Sequence, residues 1–132
     1  MIYVKDILRV CRGKLIVGNE NLECINFVND TRMLHDGDIY IGIKGEAFNG
    51  NKFYKEAIEK GARACILDDE TVLDGNYKNT TIVLVDDSVK AIQELAKYKR
   101  SLYNIPVIAV TGSVGKTSVK DMVYAVVSSE YN

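Results

Sequence analysis

The sequence predicts an α/β fold, and three observations carry that expectation. Short runs rich in β-branched and aliphatic residues, at 39–43, 64–67 and 81–85, alternate with segments of helical apolar spacing at 53–60 and about 86–102. Residues 107–110 are apolar at every position, the pattern of a strand covered on both faces in a parallel sheet. That run leads through a glycine-bearing loop into a further amphipathic segment, with Val119, Met122, Val123, Val126 and Val127 at i, i+3, i+4, i+7 and i+8.

The chain begins with a helix, because Val4, Ile7, Leu8 and Cys11 fall on one face and Gly13 marks its end. Strands are expected next at 15–17, 24–28 and 39–43, bounded by Gly18, by Asp30 and by Asp36-Gly37-Asp38. In the third of these, Ile39, Ile41 and Ile43 share a face. Asn49-Gly50-Asn51 reads as a turn into the helix over 53–60, where Tyr54, Ala57 and Ile58 are spaced for burial and Gly61 stops it. Strands at 64–67 and 81–85 flank polar loops at 68–70 and 74–79. Asp86, Asp87 or Ser88 then caps a helix to about Leu102, with Val89, Ile92, Leu95, Ala96 and Leu102 facing inward. The change of character near 85–88 divides the chain into units 1–85 and 86–132. A doubly covered strand at 107–110 needs parallel neighbours, so the second unit is expected to be only the beginning of a domain.

Composition narrows the partners. With 17 basic against 18 acidic residues the net charge is -1, so no overall field concentrates nucleic acid or anionic lipid, and a phosphate must be caught locally. Three cysteines and one histidine lack metal-ligand spacing, which argues against a disulfide framework or a zinc site and for a reducing cytoplasm. Cys11, Cys24 and Cys65 are expected in the core and His35 in solvent. The eight tyrosines lack an accompanying basic stripe and are read as packing residues rather than base platforms. No apolar run approaches the ~20 residues that span a bilayer.

The chemistry concentrates at Thr111-Gly112-Ser113-Val114-Gly115-Lys116-Thr117-Ser118. Glycines let backbone amides approach phosphate oxygens, and the helix that follows adds the positive end of its dipole. Lys116 is placed to reach terminal phosphates, and the Thr117 hydroxyl to ligate Mg²⁺. The wider form of this motif needs glycine at position 110, where this chain has Val110, so the spacing is the shorter one. A glycine-rich turn with an incidental lysine is the plain alternative; the strand before and the helix after favour the cradle.

The short form Thr-Gly-x-x-Gly-Lys-Thr resembles the ATP loop of the Mur ligases, the amide-forming enzymes of bacterial cell-wall precursor synthesis. A second region agrees: Asn29-Asp30-Thr31-Arg32, then residues 36–46 ending Lys44-Gly45-Glu46, then Asn49-Gly50, then Ala57, Gly61-Ala62 and Ala64. It resembles the family's N-terminal UDP-binding domain. The loop wording, with Lys120-Asp121-Met122 and the ending Ser128-Ser129-Glu130-Tyr131-Asn132, is most similar to the branch that adds D-alanyl-D-alanine to UDP-N-acetylmuramoyl-tripeptide. The branch adding the third amino acid is the alternative, from whose usual loop Val114 and Ser118 depart.

The resemblance implies a small UDP-binding α/β domain at 1–85 and the first helix, strand, P-loop and helix of a central ATP-binding domain at 86–132. It implies ATP as substrate, held by Gly112, Ser113, Val114, Gly115, Lys116, Thr117 and Ser118, with Lys116 catalytic and Mg²⁺ on Thr117. In the family ATP converts the substrate carboxylate to an acyl phosphate that the incoming amine displaces. Only the front of such an enzyme is matched, so the chain alone is expected to be inactive.

For the uridine half, Asp30, Thr31 and Arg32 lie past one strand end and Lys44, Gly45, Glu46, Asn49 and Gly50 past another, where ligands bind in α/β sheets. Thr31 and Asn49 can hydrogen-bond uracil, ribose or phosphate, and Arg32 and Lys44 can offset phosphate charge. Two other classes stay open: a freestanding UDP-sugar-binding module, and a small P-loop NTPase, which lacks a later strand ending in a Mg²⁺-binding carboxylate. Self-association through an exposed sheet edge is a further expectation.

Overall fold

The β-branched runs pair in a computed structural model that describes residues 1–130. The strands and helices, in chain order, are β1 (Ile2–Tyr3), α1 (Val4–Val10), β2 (Lys14–Val17), β3 (Glu23–Cys24), β4 (Phe27–Val28), β5 (Ile39–Ile41), α2 (Tyr54–Glu59), β6 (Ala64–Leu67), β7 (Thr81–Leu84), α3 (Ser88–Ser101) and α4 (Lys116–Ser128). The main sheet has the order β2-β7-β6-β5-β4, and β1 and β3 form a separate antiparallel pair. Strands β4, β5, β6 and β7 run parallel, with Ile39 beside Ala64 and Ala64 beside Thr81; β2 closes one edge antiparallel to β7.

Alternation along the parallel strands builds two cores. Ile39, Ile41, Ala64, Ile66 and Val83 face a cluster completed by Val4 and Ile7 of α1 and by Ala91 and Leu95 of α3. The intervening Tyr40, Cys65, Leu67 and Ile82 face Tyr54, Ala57 and Ile58 of α2. A parallel strand needs this cover on both faces, since its crossovers leave neither side to water. As the α/β expectation has it, all four residues of β6 are buried.

Several expected elements change at their edges. The run 24–28 divides into β3 and β4, because the chain passes from the small sheet to the large one at Ile25, which is 75% exposed. Asn26 marks the crossing: its carbonyl accepts from Ile39 N at 2.8 Å and its Nδ2 donates to Asp38 Oδ1 at 2.9 Å. On α3 the buried stripe is Ser88, Ala91 and Leu95, whereas Val89, Ala96 and Leu102 face solvent. The cap decides the phase: Asp87 accepts from Lys90 N at 2.9 Å and sets Ser88 as the first helical residue. Tyr98 then reaches α1, its hydroxyl donating to Asp6 Oδ1 at 3.1 Å. By packing, α3 sits with the sheet of the first unit, although a division between 85 and 86 assigns it to the second.

The strand expected at 107–110 does not form. Val107 and Ile108 are 61% and 62% exposed, and no described strand pairs with the segment. An all-apolar strand gains its ladder only between neighbours, and none of the described strands is a neighbour to it. Likewise the apolar stripe of α4 is not inward: Val119, Met122 and Val126 are exposed. Tyr131 and Asn132, the last two residues of the family resemblance, lie outside the described residues.

If α3 is part of the first unit's core, truncating Leu95 must weaken the whole sheet. Leu95→Ala is expected to lower the unfolding free energy by about 2–5 kcal/mol in a urea titration followed by circular dichroism. An unchanged midpoint would place the helix outside that cooperative unit.

Candidate functional site

At the carboxyl ends of β4 and β5 two loops face each other across a cleft of about 610 Å³. The first loop turns at once into a single 3-10 turn, Thr31–Met33, because Asp30 is extended and its Oδ1 accepts from Arg32 N at 2.9 Å. The same carboxylate is gripped by the Arg32 guanidinium, Nε to Oδ1 at 2.9 Å and the terminal nitrogen to Oδ2 at 2.6 Å. These side-chain bonds, with the Arg32 amide, hold the Asp30 carboxyl down at about 2. The pair is solvent-exposed, so its value lies in orienting the loop rather than in stability.

Thr31 is buried behind that turn, at 8% exposure. Its hydroxyl donates to Glu56 Oε1 at 2.8 Å, and its carbonyl accepts from Lys60 Nζ at 2.8 Å. Glu56 and Lys60 stand one turn apart on and just beyond α2 and pair at 2.9 Å. Lys60, and after it Thr31, keep the Glu56 carboxyl below the usual carboxylate range. The polar side of the cleft is thus a braced set of groups with the Thr31 oxygen and the second Glu56 oxygen left to accept.

The second loop is a tight hairpin. Lys44 bridges to Asn49, Gly45 N donates to Phe48 O at 2.7 Å, and Gly50 N donates to Ile43 O at 2.8 Å. A Cβ on Gly50 would come 2.8 Å from that same Ile43 oxygen, so the approach requires glycine. The hairpin carries Phe48, whose ring stacks on Phe53 with centroids 5.2 Å apart and planes 23° from parallel. Tyr40 lies beneath, its hydroxyl donating to Gly50 O at 2.6 Å, and burial pushes its phenol up to about 12.

Asp30, Thr31 and Arg32 therefore line the cleft as expected residues in one place. Lys44, Gly45, Glu46, Asn49 and Gly50 instead build the hairpin that presents Phe48, and Asn49 is engaged away from the cleft with Asn51 and Asp69. Sequence reasoning missed Phe48, Phe53, Tyr40 and Glu56. The available signal was a pair of phenylalanines flanking Asn49-Gly50 in an otherwise polar stretch, a place where a core offers them no cover. A stacked aromatic pair opposite a hydroxyl and a guanidinium suits a planar base carrying a ribose and phosphates.

The glycine loop has its own geometry. Gly112 and Gly115 adopt φ of 149° and 76°, and Gly115 caps α4, its carbonyl accepting from Val119 N at 3.0 Å. Gly112, Ser113, Val114, Gly115, Lys116, Thr117 and Ser118 are all exposed, and none lines the cleft. For a divalent cation the local donor set is the Thr117 hydroxyl. Among the described residues no group of three or more histidine, cysteine, aspartate or glutamate side chains could hold a metal. The exposed Thr117 hydroxyl offers one oxygen donor to a cation carried by phosphates.

A model of the Mur ligase family, catalytic domain, matches residues 26–100, a span that takes in the cleft and ends before the glycine loop. The UDP-N-acetylmuramoyl-tripeptide–D-alanyl-D-alanine ligase of Bacillus subtilis is 39% identical over 129 residues, covering 97% of this chain and 28% of that protein. The ligase of the same name from Synechocystis is 34% identical over 125 residues, covering 95% and 27%. A UDP-N-acetylmuramoyl-L-alanyl-D-glutamate–2,6-diaminopimelate ligase from Clostridium tetani is 30% identical over 125 residues, covering 93% and 26%. The chain spans about a quarter of the length of these relatives. Among solved structures, MurF ligase from Thermotoga maritima in complex with ADP superposes with a TM-score of 0.68 at 31% identity, over 85% of this chain and 25% of that one. A UDP-N-acetylmuramoylalanyl-D-glutamyl-2,6-diaminopimelate–D-alanyl-D-alanyl ligase from Acinetobacter baumannii has a TM-score of 0.82 over 97% of this chain and 28% of that one, and at 23% identity it bears on the fold alone.

The Asp30–Arg32 fork predicts a titration. Followed by carboxyl carbon shifts, Asp30 is expected to titrate near 2 in the wild type and to rise toward the ordinary aspartate range in Arg32→Ala, stopping short of it because the residue 32 amide still donates. An unchanged titration would contradict the fork.

Proposed function

The chain belongs to the Mur ligase family, and we propose that it is the substrate-binding front part of a ligase that adds D-alanyl-D-alanine to UDP-N-acetylmuramoyl-tripeptide. The observation that carries this reading is the cleft itself, with Phe48 and Phe53 stacked on one side and Thr31 and Arg32 on the other, inside the span matched by the family. The phenylalanine face takes the uracil, the Thr31 oxygen and Glu56 accept from base or ribose, and Arg32 offsets diphosphate charge while Asp30 holds its guanidinium in place. Lys44 contributes charge at the base of the hairpin.

The loop at 112–118 takes the phosphates of ATP through its backbone amides and Lys116, with Thr117 on Mg²⁺. When bound, the nucleotide supplies the phosphoryl group that activates the substrate carboxylate, and the cation offsets the charge that grows in transfer. This chain's part is to orient: Gly112 and Gly115 give the loop its left-handed turns and α4 aims its amino end at the phosphates. The described helices include none long and apolar enough to cross a membrane, and the three cysteines are free, which supports a place in the cytoplasm. We place the boundary between the two units after Ser101, where α3 ends and burial stops.

The relatives include ligases for both D-alanyl-D-alanine and 2,6-diaminopimelate, and the Val114 and Ser118 wording of the loop favours the first. In an NMR titration, UDP at about 1 mM is expected to shift the amides of Thr31, Arg32 and Phe48, and Phe48→Ala to weaken binding about tenfold through lost stacking. No response at Thr31 and Phe48 would refute the cleft assignment. ADP with Mg²⁺ is expected to shift the amides of Gly112 to Ser118 instead, a response that Lys116→Ala reduces.

A further inference from the structure

Asn51 lies in a turn beside the cleft, does not line it, and yet is completely buried. Its carboxamide engages both N–H groups and its oxygen. Nδ2 donates to Asn49 Oδ1 at 2.8 Å and to Asp68 Oδ1 at 2.6 Å, and Oδ1 accepts from Asp68 N at 2.9 Å. Asp68 passes the connection on, since its second oxygen accepts from the amide of Ser88, the first residue of α3, at 2.9 Å. Asn49, which closes the hairpin with Lys44, adds a bond from its Nδ2 to Asp69 Oδ2 at 2.8 Å. The sequence makes room for this side chain: a Cβ on Gly42 would come within 2.8 Å of Asn51 Oδ1 and 2.9 Å of Asn51 Cα.

Apolar contacts fix separation but hold direction weakly, whereas a buried carboxamide with three short bonds tolerates one orientation. We propose that Asn51 and Asp68 are positioning residues for the cleft: they clamp the hairpin that carries Phe48 to the end of β6 and to the first residue of α3. The proposal rests on the reading of the cleft as a uridine site. It adds that the aromatic wall is preorganised from outside, through a chain of bonds running from residue 49 to residue 88. Without the clamp the hairpin keeps its own backbone bonds, the Tyr40 hydroxyl, and the Asn49 side chain's bonds to Asp69 and to the Asn51 amide, and loses its tie to β6 and α3 through Asp68.

The test reverses the central bond. Asn51→Asp keeps the shape but turns the donating end into an acceptor facing Asn49 Oδ1 and the Asp68 carboxylate. The double variant Asn51→Asp/Asp68→Asn restores a donor and acceptor between 51 and 68 and leaves an oxygen for the Ser88 amide, while Asn49 Oδ1 stays without its donor from the residue 51 side chain. UDP binding by calorimetry is expected to weaken about tenfold in the single variant and to recover part of that in the double, which restores the bond to residue 68 alone. Hydrogen exchange at the Gly45 and Gly50 amides, which close the hairpin, is expected to quicken and then recover in the same order. Equal UDP affinity and unchanged exchange in Asn51→Asp would overturn the clamp, and so would a loss that the double variant does nothing to lessen. Should Asn51→Asp not fold, Asp68→Asn reads the same bond from its other side. If the wild type itself does not bind UDP, the uridine reading fails while the exchange data still decide the clamp.

Discussion

Everything near the cleft depends on the parallel ladder of β5, β6 and β7, which can exist only while both of its faces are dry. Two chemically separate clusters provide that cover, α1 with α3 on one side and α2 on the other. Parallel strands all end at the same edge. The loops after β4, β5 and β6 are therefore neighbours by necessity, and Asp30, the Lys44–Asn49 hairpin and Asp68 follow those three ends. The residues that meet at the cleft are far apart in sequence because crossovers, not turns, separate parallel strands.

The strands' interior was legible because period-two alternation and full burial leave strong traces: Ile39, Ile41 and Ile43 on one face, and the unbroken apolar run of β6. Helix phase was less so. Val89 looked inward from spacing, but the Asp87 cap starts the helix at Ser88 and turns Val89 to solvent at 45% exposure. A cap is a single hydrogen bond between near neighbours, and Asp86, Asp87 and Ser88 all offered one. The run 107–110 failed for a different reason: apolar composition states that a strand could be covered, whereas a ladder requires the coverer.

Within the candidate site, the polar residues 30–32 were readable because Asp, Thr and Arg after a strand have few structural uses together. The hairpin residues were expected as direct contacts to the uridine substrate and form a framework instead, since nothing in Lys44, Gly45, Glu46, Asn49 or Gly50 announces that a bridge between 44 and 49 will turn Phe48 outward. Glu56 was hidden by its helical setting, where an i, i+4 partner such as Lys60 reads as ordinary surface pairing. Its bond to Thr31 crosses from one strand's loop to another element's helix, and such contacts have no local signature.

The cleft and the glycine loop differ in make: the cleft has mutually braced polar groups around a buried Thr31 and an aromatic wall, whereas the loop has backbone geometry and exposed side chains. The central claim is that the wall recognises a uracil ring. A crystal structure of this chain grown with UDP tests it most directly. The ring is expected to lie against Phe48 and Phe53, with the ribose or diphosphate in reach of Thr31 and Arg32. UDP bound through its phosphates at residues 112–118, with the cleft empty, would contradict it.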